Sequence, residues 1–275
     1  ATEDGAEAAA YLTDHRVLDA DAGALRSYRE LVASQASRGQ RHEVVIAVSV
    51  SARSKAVRAA GAGERGTCVS LIRELDQVAA RLMSAELSVA GALGPAALRG
   101  LVHGGGSGPV ATETHWDSYR VDDRWHATLW VSEWPRVPVG PDFLAPLLLE
   151  TTAVRRVGVV MAPVPPAKAT KAVEMARTHF LSDEELRARA GFLATARRQR
   201  EHEGIVRRER DLADGHLEYQ YSAYVTVSAP GRAELEAAVA EVSEAASRSR
   251  LELRRLYGQQ DVAFTMTLPI GRGLR

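Results

Sequence analysis

The sequence predicts an α+β protein built from two related ferredoxin-like strand–helix units, with antiparallel or mixed sheets and helices packed on them. Three observations lead there. Val48-Ser49-Val50-Ser51-Ala52 ends a strand-like run near the start, and Val225-Thr226-Val227-Ser228-Ala229 ends another near the end. Each run is followed by a loop, a long amphipathic helix and a Leu-rich stretch with a glycine, Leu87 to Gly94 in the first copy and Leu251 to Gly258 in the second. Self-similarity of this kind constrains the architecture before any other signal is weighed. In the second half, moreover, predicted strands alternate with crossover helices and hairpins, a pattern that calls for a sheet with helices on it.

The elements follow in order. Residues 1–12 read as frayed, and 22–36 as a helix with Leu25, Tyr28, Leu31 and Val32 on one face. Residues 43–52 read as a central strand, because Val44-Val45-Ile46-Ala47-Val48 is apolar on both faces. A loop at Gly61–Gly66 leads to a helix over 67–83 whose stripe is Cys68, Leu71, Ile72, Leu75, Val78, Ala79 and Leu82. A weak strand (86–90) and a short helix (95–102) close the first unit. The breaker segment His103-Gly104-Gly105-Gly106-Ser107-Gly108-Pro109 marks a boundary. The units are therefore expected at 1–102 and 115–275, joined by a Gly-rich linker at 103–114.

The second unit opens with a hairpin over 115–134 that turns at Asp122-Asp123. Its second arm alternates, with Trp125, Ala127, Leu129 and Val131 on one face and His126, Thr128, Trp130, Ser132 and Trp134 on the other. A short helix near 142–150 and a strand at 154–162 follow, stopped by Pro163, Pro165 and Pro166. Helix 167–180 places Ala169, Ala172, Val173, Ala176 and Phe180 together. Ser182 with Glu185 reads as a capping box that starts a further helix over 183–212, bent at Gly204. Strand 217–229, a helix over 232–250 with the stripe Leu235, Ala238, Val239, Val242 and Ala246, and a final strand at 261–269 complete the chain.

Composition limits the function. A hydrophobic content of 45% supplies a sizeable core, while 35 basic and 35 acidic residues cancel. No long-range field for nucleic acid or a membrane surface follows from that balance. The single cysteine, Cys68, allows no intrachain disulfide, and its place on an apolar stripe predicts a buried, inert thiol. No apolar run reaches the length of a membrane-spanning helix, and no secretory signal pattern is read. The chain begins without Met and stops at Gly271-Arg272-Gly273-Leu274-Arg275, as an excised soluble part of a longer protein would.

No catalytic or metal-binding constellation is evident. His103–Gly106 resembles an esterase oxyanion loop, but the Gly-x-Ser-x-Gly elbow of such enzymes is missing. A small hydrolase using this loop is an alternative reading, against an interdomain linker. None of the lysines, Lys55, Lys168 and Lys171, follows a glycine, so there is no phosphate loop and no cofactor is expected. The histidines lack metal-ligand spacing.

Two surfaces stand out as interface candidates. Arg197, Arg198, Arg200, Arg207, Arg208 and Arg210 interleave with Glu201, Glu203, Glu209 and Asp211 on one predicted helix. Mixed signs at three and four spacing describe a solvated helix suited to docking, and the interleaved carboxylates argue against nucleic acid. A nucleic-acid-binding module using this helix is the second alternative. The interface residues selected are Arg197, Arg200, Glu203, Arg207 and Arg210, with Trp130 and Trp134 from the cluster Trp116, Trp125, Trp130 and Trp134.

Several stretches taken together carry a resemblance. They are Arg208-Glu209-Arg210-Asp211-Leu212-Ala213-Asp214-Gly215-His216, Tyr224–Ala229, Leu253-Arg254-Arg255-Leu256-Tyr257-Gly258-Gln259-Gln260 and Ala263–Gly273. In this order they resemble the non-motor region of conjugation ATPases of type IV secretion systems, the TraC/TrbE-like group. The likeness is greatest to actinobacterial conjugative-element proteins that lack the motor domain, which suits a chain rich in Ala and Arg. It covers residues 205–275, with a looser match over the Trp-rich segment 116–163. The resemblance implies a scaffold at the cytoplasmic face of the bacterial inner membrane. It would bind a motor ATPase that supplies the ATP hydrolysis and the inner-membrane subunits, and it could also form a homo-oligomer. Contact with the membrane would come only through a segment outside this chain, and no direct contact with nucleic acid is implied.

Overall fold

The computed structural model describes residues 2–3, 41–103, 111–189 and 195–274. The helix expected at 22–36, most of the segment 1–12 and the glycines of the expected linker lie outside them. Strands are β1 (Thr2–Glu3), β2 (Arg41–His42), β3 (Thr112–Thr114), β4 (Tyr119–Val121), β5 (Arg124–Glu133), β6 (Val154–Pro163), β7 (Tyr219–Ala229) and β8 (Glu252–Arg255). Helices are α1 (Lys55–Ala59), α2 (Gly63–Ser84), α3 (Pro95–His103), α4 (Ala145–Leu149), α5 (Pro166–Arg189), α6 (Ala196–Ala213), α7 (Arg232–Arg248) and α8 (Gln260–Thr265). The chain divides into two compact units, residues 1–159 with 223–273, and residues 160–222 with 274–275. This division does not follow the 103–114 boundary read from the sequence.

The first unit is α+β. Its six-stranded sheet has the order β3-β4-β5-β7-β6, with β8 paired to β5. β4, β7 and β8 all run antiparallel to β5. β5 shares one edge between two partners, β4 along Arg124–His126 and β8 along Leu129–Glu133. The chain order β5-α4-β6-β7-α7-β8 therefore lies on a strand order β8-β5-β7-β6, so each of two crossover helices joins strands that have a third strand between them.

The sequence explains this arrangement locally. Asp122, at φ 56°, makes the tight β4–β5 turn, a left-handed conformation that Asp tolerates better than most residues. Ala127, Leu129 and Val131 of β5 and Ala223, Val225, Val227 and Ala229 of β7 are buried on one face. Leu147 of α4 and Leu235, Val242 and Ala246 of α7 complete that core. The expected apolar stripe of α7 is thus the buried one. Arg155 on β6 is buried too, and donates from Nε to the Leu147 carbonyl (2.6 Å) and from its terminal nitrogens to the carbonyls of Leu148 (2.6 Å), Thr151 (3.1 Å) and Ala153 (2.9 Å). One guanidinium so satisfies the open C-terminal carbonyls of α4, where a short helix would otherwise leave them bare.

The opposite sheet face is polar in sequence yet also covered, by the segment that contains α8. Thr128 and Thr226 join hydroxyls at 2.8 Å, and Thr226 meets Thr267 at 2.7 Å. Phe264 packs against Tyr119 and His126, with ring centroids 5.4 and 4.8 Å away.

The second unit takes in the end of β6, the start of β7 and the arm of chain inserted between them. Val164 N–H donates to the Glu218 carbonyl at 2.8 Å and closes its base. Beyond that bond run the two helices α5 and α6, which pack on each other.

Several expectations fail. Residues 43–52 form no strand. Beyond the short pairing of Arg41–His42 with Thr2–Glu3 they have no ladder partner among the described residues, and Val44 is 86% exposed. The counterpart run in β7 is central and buried. α2 packs on α1, whereas α7 packs on β5 and β8, so the duplication is not seen among the described residues. Cys68 is exposed, not buried. Residues 86–90 carry no strand. Ser182 lies inside α5 rather than capping a new helix, and the next described helix, α6, begins at Ala196 after an extended Thr195. The final strand is β8, and 260–265 is helix α8.

Candidate functional site

The charged helix expected at 183–212 is α6, and α5 decides which of its side chains are engaged. Phe180 near the middle of α5 is buried, with the His202 ring stacked at 4.9 Å and the Arg198 guanidinium 5.5 Å over its face. Such a cation over an aromatic face is attracted by the ring quadrupole. Arg198 also pairs with Asp183. Arg177 reaches both carboxylate oxygens of Glu209 at 2.7 Å. Arg208 grips Glu218 by two nitrogens, Nε at 3.0 Å and a terminal nitrogen at 2.5 Å. Three ion pairs therefore tie α6 to α5 and to the base of the arm.

The remaining cations point elsewhere. Arg200, Arg207 and Arg210 are exposed and make no ion pair among the described residues. Glu203 is exposed beside them, and accepts from the Gln199 amide at 3.4 Å. Steps of three and four residues place Arg200, Glu203, Arg207 and Arg210 on one side of the helix. Four of the five α6 residues read from the sequence are thereby brought together. Arg197 lies in the first turn of α6, where only the backbone is described. The sequence foresaw the exposed helix but not the division between engaged and free arginines, because that depends on Asp183, Arg177 and Glu218, which lie on other elements.

The tryptophans behave differently. Trp130 and Trp134 are both partly buried, and Trp134 packs against the core. Trp125 lies between the guanidinium groups of Arg120 and Arg232, at 5.6 and 5.8 Å. The exposed indole is Trp116, 73% accessible and stacked on Tyr257 at 6.4 Å. Gly258, at φ 73°, lets the chain pass against it, since a Cβ there would come within 2.8 Å of the indole. The most exposed aromatic pair is therefore Trp116 with Tyr257, while Trp130 and Trp134 stay partly accessible. A glycine directly after Tyr257 was the available signal.

Other places offer little chemistry. An open cleft of about 460 Å³ at the end of β5 is lined by Trp134, Arg136, Ser243, Ser247, Arg250 and Glu252 among others. Its two serine hydroxyls donate back to their own helix, to the carbonyls of Val239 and Ser243, and no histidine lines it. It thus presents no activated nucleophile. His126 is 8% exposed and shares a 2.8 Å contact between its Nδ1 and the Ser228 hydroxyl. Burial, with Arg156 and Arg124 nearby, pushes its pKa down to about 4, so the ring is neutral at pH 7. Phe264 covers this imidazole, which makes it a packed structural group. Among the described residues no group of three or more His, Cys, Asp or Glu could hold a metal ion, and no helix is long and apolar enough to cross a membrane. The Gly104–Gly108 part of the esterase-like loop lies outside the described residues.

No family model matches the chain, and no curated protein matches it.

Proposed function

We propose that this chain is a non-catalytic docking and scaffold part of a type IV, conjugation-type secretion machine. It binds the motor ATPase and the inner-membrane subunits at the cytoplasmic face of the membrane, and the companion motor hydrolyses ATP. The likeness of residues 205–275 to the non-motor region of such ATPases supports the assignment to this machine. In the same reading, β5-α4-β6-β7-α7-β8 is one ferredoxin-like unit that carries α5 and α6 as an arm. The observation that carries the docking role is the division of arginines on α6. Arg198 and Arg208 are engaged within the arm, while Arg200, Arg207 and Arg210 are left to solvent. Exposed charges contribute little to stability but set on-rate and register in a complex.

The test reverses charge at Arg200, Arg207 and Arg210 together in the full-length protein. Thermal unfolding should move by no more than a degree or two. Recovery of identified motor and inner-membrane subunits should fall at least tenfold. Undiminished recovery removes this face as the docking surface, and failure to recover any secretion subunit with the unaltered protein removes the assignment itself.

A further inference from the structure

Gly204 sits in the interior of α6, and nothing among the described residues accounts for it. Its φ is not positive, and a Cβ built on it would meet no atom within 4 Å. Glycine in a helix interior is less stable than alanine, because it gives up more backbone freedom on ordering. Neither a turn, a left-handed conformation nor internal packing asks for it here. Gly204 lies four residues after Arg200 and three before Arg207, so those three positions form one line along the exposed side of the helix. Both flanking guanidinium groups are free of ion pairs among the described residues. Glu203 lies beside this line and is held by Gln199, and Asp211 stands one turn further on. The centre of the line is thus a bare strip of helix backbone with a cation at each end.

We infer that α6 takes an acidic helix of another polypeptide in close contact at Gly204. Absence of a side chain lets two helix backbones approach more closely than the usual 8–10 Å permits. Facing Gly204, the partner helix carries a small residue. Facing Arg200 and Arg207, it carries Asp or Glu about seven residues apart, each placed for a charge-assisted contact. A long-range field does not draw the partner, since the charge of the whole chain is zero; the match is local. This deepens the docking role proposed above and rests on it for the location of the face, but the chemistry of the partner follows from α6 alone.

A photo-crosslinking amino acid at position 201, at the border of this face, tests the inference in the full-length protein within its own cells. The expected product is an adduct whose mapped peptide comes from another polypeptide and holds carboxylates about seven residues apart around Gly, Ala or Ser. Gly204→Leu and the pair Arg200→Glu with Arg207→Glu should each lower adduct yield at least tenfold. Thermal unfolding of Gly204→Leu should not occur at lower temperature than that of the parent, because the added side chain enters open space. An adduct to nucleic acid, an adduct to α6 of a second copy, no adduct, or a yield unmoved by Gly204→Leu would each overturn the inference. So would destabilisation by Gly204→Leu, which would place Gly204 in an internal contact. An acidic helix from a protein foreign to secretion machinery would leave the inference standing and remove the functional assignment. A motor-subunit peptide without such carboxylates would do the reverse.

Discussion

Gln260 completes a sheet that its strands leave open. β4 ends its pairing with β5 at His126 and β8 begins at Leu129, so the Thr128 N–H faces a gap, while its carbonyl accepts from Leu256 N–H at 3.1 Å. The Gln260 side chain fills it: Oε1 accepts from Thr128 N–H at 2.8 Å, and Nε2 donates to the carbonyls of Thr128 (3.1 Å) and Leu256 (2.8 Å). This amide is fully buried and acts as one residue of a missing strand. Replacing Gln260 by Leu keeps the volume but leaves the buried Thr128 N–H without its partner, while the Thr128 carbonyl keeps the Leu256 N–H; a buried group that water cannot reach costs about 1–3 kcal/mol. Gln260→Leu should therefore lower unfolding free energy by about 1–3 kcal/mol in urea titration, with the m-value unchanged. A loss under about 1 kcal/mol would show that water already serves this gap. His126 gives the same face a pH dependence. Its folded pKa of about 4 lies below the 6.5 of a free imidazole, so the unfolded chain takes up a proton that the folded chain refuses. Stability is then fully present above pH 6.5 and declines as pH falls from 6.5 toward 4, by at most about 1.4 kcal/mol per pH unit. Tyr119, Arg124, Arg156, Ser228 and Phe264 surround the ring, and none of them supplies a negative charge to offset protonation. Between pH 7 and pH 5 the parent should lose roughly 1 to 2 kcal/mol more than His126→Gln. Equal losses would show that the ring titrates normally.

At the scale of elements, the sequence was legible where one face alternates or one stripe repeats. β5, β7 and α7 lie where period and stripe place them, and the turn at Asp122 falls between the two expected arms. It was not legible where a neighbour decides. Residues 43–52 have strand composition, but a strand needs a ladder, and none is offered among the described residues. Residues 261–269 have strand composition as well. Yet the β5 edge beside Leu129–Glu133 is taken by β8, and the gap at Thr128 by Gln260, so the following turn coils into α8. Ser182 and Glu185 have capping-box spacing, but continuing the helix keeps Phe180 and Asp183 toward α6, where Arg198 meets both. Nothing in the sequence sets Arg155 apart from a strand-surface arginine. That it holds four carbonyls of α4 and the turn after it depends on how the α4–β6 connection closes, which no local pattern records. The candidate face on α6 was legible as charge and spacing. Which of its arginines stay free was not, since Arg177 and Glu218 belong to other elements.

At the scale of the whole molecule, the arm is an insertion into a hairpin. β6 and β7 are neighbours, and the Val164–Glu218 hydrogen bond joins their ends before either helix begins. Insertions in a surface connection raise the entropy of closure only slowly with length, and a short turn can close what a long insertion closed. The sheet core, from Ala127 and Leu129 through Val225 and Val227 to Leu235 and Val242, includes no residue of the arm. Replacing residues 165–217 by an Asn-Gly turn should therefore leave a cooperatively folding protein, since that dipeptide suits a two-residue hairpin connection. Circular dichroism should show loss of helix without loss of the sheet signal, and urea unfolding should remain a single transition. If α6 is the docking face, this variant should recover no more of the motor and inner-membrane subunits than the triple Arg200, Arg207 and Arg210 charge reversal does. A folded deletion variant that still recovers those subunits would move docking to the sheet unit, where Trp116 stacked on Tyr257 is the exposed aromatic pair. A variant that fails to fold would show that the arm contributes to the stability of the sheet, although no arm residue belongs to the sheet's core cluster.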